Sequence, residues 1–410
     1  MSGCSWQIEQ ACPQCGAPVI FAETDRLLVC RFCRTRVYLK TDDDCFRYRI
    51  PFKAGTDGEL VLIPYWRIRG TSFSLTGTDV VHRYVDVTRR AVCLNGIPDS
   101  LGLRPQALKL RFLTPTDQGR VIAPDPSRGP TALTADKGLA EGPCRPFIGD
   151  ARSLIHAPLL LKDQTLYDAV LGRPVRTCSG DELERLMAFP SAAGERIRFI
   201  PTLCPHCGRD LEGEKDSLVL TCPNCDSAWS CPGEAFTRTE FVVMPLPPKS
   251  KPVALYLPFW RMTPRFEGMA LSSYADLIRT ANLPKAVRPA FETTPLSVWV
   301  PAFKIAPSLF LRWARQMTVF HPDGEGGERL PASPLHPVTL PLSEAAEGIV
   351  ITLAQIFADK RKIPGLAGLR ISLETSRLEY HPFVLEKDEL IHPLLGVTLD
   401  RTALGYGIRM

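Results

Sequence analysis

The sequence predicts a strand-rich α+β protein made of two duplicated halves, each a small four-cysteine module followed by an α+β domain. Three observations carry that expectation. First, two cysteine clusters share one spacing: Cys12-Pro-Gln-Cys15 with Cys30-Arg-Phe-Cys33, and Cys204-Pro-His-Cys207 with Cys222-Pro-Asn-Cys225, fourteen residues between the pairs each time. Second, the similarity continues beyond the clusters in the same order. LVLIPYWRIRG (Leu60–Gly70) matches ALYLPFWRMTP (Ala254–Pro264), RPQALKL (Arg104–Leu110) resembles VPAFKI (Val300–Ile305), and PLLLKDQTLYDAVLG (Pro158–Gly172) matches PFVLEKDELIHPLLG (Pro382–Gly396). Third, the 38 prolines favour short strands and ordered turns over long helices. The expected boundaries are residues 1–42 and 195–235 for the cysteine modules, and 43–190 and 236–410 for the domains that follow them.

Each C-x2-C pair is a turn that aims two thiolates at one point, and two such turns complete a tetrahedron around a d10 cation. Four cysteines leave no open coordination position, so the expected metal is structural. Zinc is the first expectation; iron in a rubredoxin-like setting is the second, because thiolates suit both. A disulfide framework fits less well, since C-x2-C pairs in a chain of this size read as metal sites. The eight cysteines resemble the zinc-ribbon family, in which two cysteine knuckles on β-hairpins share one zinc. The resemblance spans roughly residues 10–40 and 202–232 and includes the glycine after each first knuckle, Gly16 and Gly208. It implies two structural Zn2+ ions per chain. It implies no particular activity, because zinc ribbons serve transcription factors, ribosomal proteins, enzyme lids and scaffolds alike.

In chain order, a polar or proline-rich joint follows each ribbon, at Lys53–Gly58 and Pro245–Pro252. A β-branched and aromatic strand then runs into Pro64-Tyr65-Trp66-Arg67 or Pro258-Phe259-Trp260-Arg261. Both tryptophans are expected to be buried and both arginines paired with carboxylates; the functional alternative is an aromatic platform for bases or a partner. Strands continue through Ser72–Leu75 and Val80–Val87, and residues 115–150, rich in Pro, Gly, Asp and Thr, read as a long surface loop. Helices are few. One begins at Asp181, with Glu184 giving capping-box-like chemistry, and ends before Pro190. Ser308 is expected to cap a second, with Leu309, Phe310 and Trp313 inward. A third runs from Ser343 to about Lys362, with Ile349, Val350, Leu353, Ile356 and Phe357 on one stripe and Pro364-Gly365 as its stop. Residues 368–400 alternate like paired strands.

At 410 residues, 45% hydrophobic and 23% charged, the chain has the composition of a globular protein with more than one domain. A net charge of +5 is mild for a protein built to neutralise phosphates. Met1–Gln10 has neither a basic n-region nor an apolar h-region, so no signal peptide is expected. The longest apolar stretch, near Gly348–Ala358, is far shorter than the roughly 20 residues that cross a bilayer, so no transmembrane segment is expected. Eight metal-binding thiolates fit a reducing cytoplasm. The other six cysteines (Cys4, Cys45, Cys93, Cys144, Cys178, Cys231) read as small buried hydrophobes.

Cations around the first ribbon (Arg26, Arg31, Arg34, Arg36, Lys40) raise nucleic acid as a partner. The second ribbon carries Asp210, Glu212, Glu214, Asp216 and Asp226 instead, which a pair of DNA-reading ribbons would not. His321, His336, His381 and His392 each precede proline and read as structural turns. There is no H-E-x-x-H, G-x-S-x-G or Walker A motif, and Gly324-Glu-Gly-Gly327 lacks the lysine of a phosphate loop. The expectation is therefore a non-enzymatic cytoplasmic scaffold or adaptor that binds protein partners, with a nucleic-acid-binding ribbon factor as the alternative. Nothing in the sequence specifies an oligomeric state.

Overall fold

Strand segments rich in β-branched and aromatic residues dominate the computed structural model, which describes residues 6–52, 58–76, 79–102, 108–129, 146–191, 197–322, 324–366 and 368–406. Cys4, Cys144, most of the Lys53–Gly58 joint, residues 104–107 of the second repeat block and residues 130–145 of the expected surface loop lie outside them. The fold is α+β and strand-rich. The chain separates into two units: Met1–Gly70 with Val85–Asp136 and Gly149–Thr202, and Leu203–Met410 with Thr71–Tyr84 and Lys137–Ile148.

In the first unit, β1 (Gln7–Ala11) and β2 (Pro18–Ala22) form one hairpin, and β3 (Leu27–Val29) pairs antiparallel with β4 (Arg36–Lys40). A larger sheet follows. It contains β5 (Phe46–Arg49), β6 (Glu59–Thr76), β7 (Asp79–Arg90), β8 (Arg111–Phe112), β9 (Arg120–Val121), β10 (Phe147–Lys162), β11 (Thr165–Asp168) and β12 (Arg173–Thr177), of which Thr71–Thr76, Asp79–Tyr84 and Phe147–Ile148 count with the second unit. β10 is its hub: β5 lies parallel to it, β6 pairs with it, and β11 and β12 continue from it as a meander. Helix α1 (Gly180–Ala188) is capped by Ser179, with Glu182 closing the capping box. The box therefore starts two residues before the expected Asp181, since a serine outside the helix can accept the free amides. β13 (Arg198–Pro201) returns to pair with β4, so the first unit runs to Thr202.

The Pro-Tyr-Trp-Arg step of β6 departs from expectation at Trp66. Tyr65 is buried, and its hydroxyl donates to the Pro98 carbonyl at 2.9 Å. Trp66 is only half-buried: it packs against the small group Cys45, Ala91 and Leu154, and its indole N–H has no partner among the described residues. The buried member is Arg67. It forks onto Glu23 at 3.1 and 3.2 Å, bonds Asp86, and lies 4.3 Å above the Trp6 ring. A guanidinium so deep is tolerated because carboxylates meet it on both sides.

In the second unit, β14 (Val219–Cys222), β15 (Ser227–Ser230) and β16 (Thr237–Thr239) form a small antiparallel sheet. The main sheet comprises β17 (Phe241–Val243), β18 (Val253–Glu267), β19 (Val298–Pro301), β20 (Arg370–Glu386), β21 (Glu389–Ile391) and β22 (Thr398–Asp400). Its hub is β20. β17 lies parallel to it, β18 pairs with it, and β21 and β22 continue from it. The wiring is that of the first unit's sheet around β10. Here Trp260 is buried, its indole donating to the Leu340 carbonyl at 2.9 Å.

One large apolar cluster joins this sheet to the helices α2 (Tyr274–Ala281), α3 (Pro289–Thr293), α4 (Pro307–Phe320) and α5 (Leu342–Ile356), and takes in Phe73, Leu75 and Val80 of the same unit. The first two of these helices were not among those expected, although Ser273 and Asp276 form a capping box for α2 and Tyr274, Leu277, Ile278 and Ala281 lie at helical spacing on its buried face. α4 begins with Pro307 at its first turn and has no side-chain cap, so Ser308 does not cap it. Phe310 and Trp313 point inward as expected, while Leu309 is only partly buried. α5 stops at Ile356, not near Lys362, and Pro364-Gly365 sits within the short helix α6 (Ile363–Leu366) rather than ending a long one. Helix α7 (Arg401–Tyr406) follows β22. Among the described residues no helix is long and apolar enough to cross a membrane.

Candidate metal centres

The turn of the β1–β2 hairpin holds Cys12 and Cys15, and the β3–β4 turn holds Cys30 and Cys33. In the second unit, a Leu203–Asp210 bridge brackets Cys204 and Cys207, and the β14–β15 turn holds Cys222 and Cys225. Within these turns the amide after the second cysteine reaches back to the first cysteine's carbonyl: Gly16 to Cys12, Arg34 to Cys30 and Gly208 to Cys204, at 2.9–3.0 Å. That closure requires a left-handed residue, found at Gly16 (φ 71°), Arg34 (62°), Gly208 (71°) and Asp226 (48°). Glycine adopts this conformation freely, and the two non-glycine residues carry some strain.

All eight expected ligands come together in their two sets, with every sulfur of a set within 4.8 Å of the others. Cys12 and Cys33 are 3.6 Å apart, as are Cys15 and Cys30; Cys204 and Cys225 are 3.6 Å apart, and Cys207 and Cys222 3.4 Å. Tetrahedral Zn–S bonds of about 2.3 Å place sulfurs about 3.8 Å apart, so the donor sets fit a tetrahedral cation. Both groups can bind metal ions.

The sulfurs are also held by donors. The amides of Phe32 and Cys33 serve Cys30, those of His206 and Cys207 serve Cys204, and those of Asn224 and Cys225 serve Cys222. Hydrogen bonds from the Thr35 hydroxyl and amide hold the Cys33 thiol down to about 6, and the Arg209 amide brings Cys207 to about 6. Cys15 accepts from the Ala17 amide, yet desolvation and the three neighbouring thiols push it up to about 12. Burial and the adjacent Cys207 raise Cys222 to about 12. Four acids in one small volume cannot all ionise on hydrogen bonds alone; a dication would supply the missing charge.

Two supporting residues were not visible in the sequence. Thr35 places its hydroxyl 3.2 Å from Cys33 sulfur, and Ser227 places its own 3.0 Å from Cys225 sulfur. Each stands two residues after the last cysteine of its cluster. Trp229 donates to Ser227 at 2.8 Å, which leaves the serine proton free for the sulfur. A hydroxyl at the same offset in both clusters was the available signal.

Of the other cysteines, Cys45, Cys178 and Cys231 are buried as expected, whereas Cys93 is exposed. The cations grouped around the first ribbon do not form one patch. Lys40 is buried and paired with Asp44, and Arg26 lies 4.7 Å over Phe46. Arg31 and Arg34 are exposed.

The histidines hold a further surprise. His381 and His392 are both buried and joined to Glu379. The His392 Nδ1 accepts amide protons from Leu394 and Leu395 at 3.3 Å, so its Nε2 must donate to His381 Nδ1, also at 3.3 Å. That fixes His381 Nε2 as donor to Glu379, 3.2 Å away. His392-Pro-Leu-Leu-Gly396 repeats the knuckle turn: Gly396 is left-handed and bonds back to the His392 carbonyl at 2.9 Å, and the imidazole takes the two amides that a cysteine sulfur takes elsewhere. Asp168-Ala-Val-Leu-Gly172 does likewise, with Asp168 Oδ1 accepting from Val170 and Leu171 at 2.9 and 3.1 Å. The turn is thus stable without metal wherever a side-chain acceptor replaces the sulfur. In comparisons with family models, curated proteins and solved structures, nothing matches this chain.

Proposed function

We propose that the chain is a non-enzymatic scaffold or adaptor of two duplicated halves, each holding one structural Zn2+ in a zinc ribbon and working in the cytoplasm by binding protein partners. The observation that carries this reading is the pair of closed four-sulfur sets, whose edges of 3.4–3.6 Å suit tetrahedral coordination and leave no ligand position for substrate. Cys12, Cys15, Cys30 and Cys33 would hold one ion, and Cys204, Cys207, Cys222 and Cys225 the other. A cation so enclosed supplies folding energy to small hairpins rather than chemistry. Duplication is supported by the like wiring of the two sheets around β10 and β20 and by the two arginines of the repeated step, since Arg261, like Arg67, meets a carboxylate (Glu379 at 3.4 Å).

Affinity capture from the native source, with and without nuclease, tests the partner class. A stoichiometric protein that survives nuclease supports the scaffold; recovery that collapses with nuclease supports a nucleic-acid-binding ribbon factor. Elemental analysis of reduced, chelator-free protein should give about two zinc equivalents. Iron, with a visible absorption band, would overturn the metal.

A further inference from the structure

We infer that the tip of the first ribbon, centred on Phe32, is the docking surface for an acidic protein segment carrying an apolar anchor. This rests on the partner-binding reading above. Phe32 stands between two metal-site cysteines and is 73% exposed, against 55% for the next most exposed large apolar residue among the described ones, Leu394. Val29, just before Cys30, and Ile20 on β2 are also exposed. Strand alternation turns their neighbours Leu28, Val19 and Phe21 into the core, so these two side chains face outward by the register of the hairpins.

Arg31 and Arg34 flank Phe32, both exposed, and neither guanidinium meets a hydrogen-bond or ion-pair partner among the described residues. Residues 10–22 and 26–40 contain no Asp or Glu at all. On the adjoining strand Glu9 is spoken for by Arg111. The loop is also pre-set. Arg34 is held left-handed by its amide bond to Cys30, and two cysteines pin the loop's ends to one centre. A rigid aromatic with two unpaired guanidiniums loses little entropy on binding and has the composition of an interface hot spot.

Charge decides between partner classes. Four thiolates around a dication leave a centre of net charge −2, which Arg31 and Arg34 offset. Such a tip suits a segment with one or two carboxylates better than a polyanion. The other exposed apolar residues of these hairpins, Val29 and Ile20, are aliphatic, which fits a protein side chain, whereas base stacking calls for successive aromatic planes. In the second ribbon the equivalent turn is engaged within its own unit, where Asp226 accepts the Leu330 amide at 3.0 Å.

The test is selection of a phage-displayed random peptide library on the zinc-loaded full chain, repeated on Phe32→Ser and on Arg31→Glu/Arg34→Glu. Both variants must first retain two zinc equivalents. The expected result is enrichment of peptides with an apolar residue beside Asp or Glu, falling at least about tenfold on either variant, as for loss of a hot spot. Enrichment without acidic residues, or unchanged on the variants, overturns the inference. So does binding of an oligothymidylate 20-mer that the variants abolish, or a wild-type dimer that the variants convert to monomer. A stoichiometric native partner that the variants still capture sinks this surface and leaves the partner reading standing. Peptide selection without any native partner does the reverse.

Discussion

The two ribbons differ where the metal geometry does not. Their sulfur spacings agree within 0.2 Å, and both carry a hydroxyl two residues past the last cysteine. Yet Cys15 and Cys33 are exposed, whereas Cys207 and Cys225 are half-buried. The strands of the second ribbon feed Val219 and Ala228 into the large core of their unit, and its last turn is tied down through Asp226. The first ribbon's last turn instead presents Phe32 and two arginines to solvent. The metal centre is a frame, and the residues on its rim are free to diverge in charge and exposure because they contribute nothing to coordination.

Removing one ligand from each ribbon tests whether the frames are independent, and it has the largest expected effect. Cys15→Ser and Cys207→Ser should each leave about one zinc equivalent and unfold only the ribbon concerned, because structural zinc contributes on the order of 10 kcal/mol to such small modules. Elemental analysis with limited proteolysis reads both. Loss of both ions from either variant would break the comparison.

The tryptophans of the repeated step come next. Trp260→Ala should destabilise the second unit by roughly 3–5 kcal/mol, as large aromatic deletions in a core do. Trp66→Ala should cost clearly less, since Trp66 is half-buried against three small contacts and gives up no hydrogen bond. Equal melting shifts would show that the two positions are packed alike.

Smaller still is the hydroxyl pair. Ser227→Ala and Thr35→Val should each weaken metal affinity by roughly 10- to 100-fold, the usual cost of an outer-shell partner. Competition with a chromogenic chelator should find the larger loss at Ser227, whose orientation is fixed by Trp229. No change at either site would reduce these hydroxyls to bystanders.

A separate effect is set by pH. Burial, then the neighbouring His381, holds His392 down to about 3, and burial holds His156 in the first unit down to about 4. The unfolded imidazole titrates near 6.5, so below that pH the unfolded chain takes up protons that the folded chain refuses. Stability is full above about pH 6.5 and falls toward pH 4 or 3, by up to about 1.4 kcal/mol per pH unit for each group. Glu379 is held to about 2: burial opposes its charge, but the hydrogen bond from His381 and the nearby cations prevail. Its contribution is therefore full above about pH 4.5 and is lost as pH falls from there toward 2. Melts of wild type and His392→Gln between pH 7.5 and 4.5 should converge as pH falls, the zinc-linked part being common to both. Parallel curves would remove His392 from the account.

The eight ligands are legible before any folding, because a C-x2-C turn is local and its spacing leaves few ways to arrange two thiolates. So are the strand-rich character and the paired strands of residues 368–400, where alternation is a property of adjacent residues. Sequence alone misleads on what depends on distant partners. Trp66 and Trp260 occupy like sequence steps, but one meets Cys45, Ala91 and Leu154 while the other is buried in the large core with its indole on the Leu340 carbonyl, and only packing distinguishes them. α2 and α3 are shorter than a helix that holds alone in water, so tertiary burial of Tyr274, Leu277 and Ile278 is what stabilises α2, although its apolar spacing and capping box are legible in the sequence. The chain Glu379–His381–His392 joins a strand to the turn after the next strand, and the exposure of Phe32 follows from what covers the turn between β3 and β4. Ligand spacing is short-range and legible; burial is a sum over the whole fold, so only the tertiary structure could decide which residues the frame hides and which it offers.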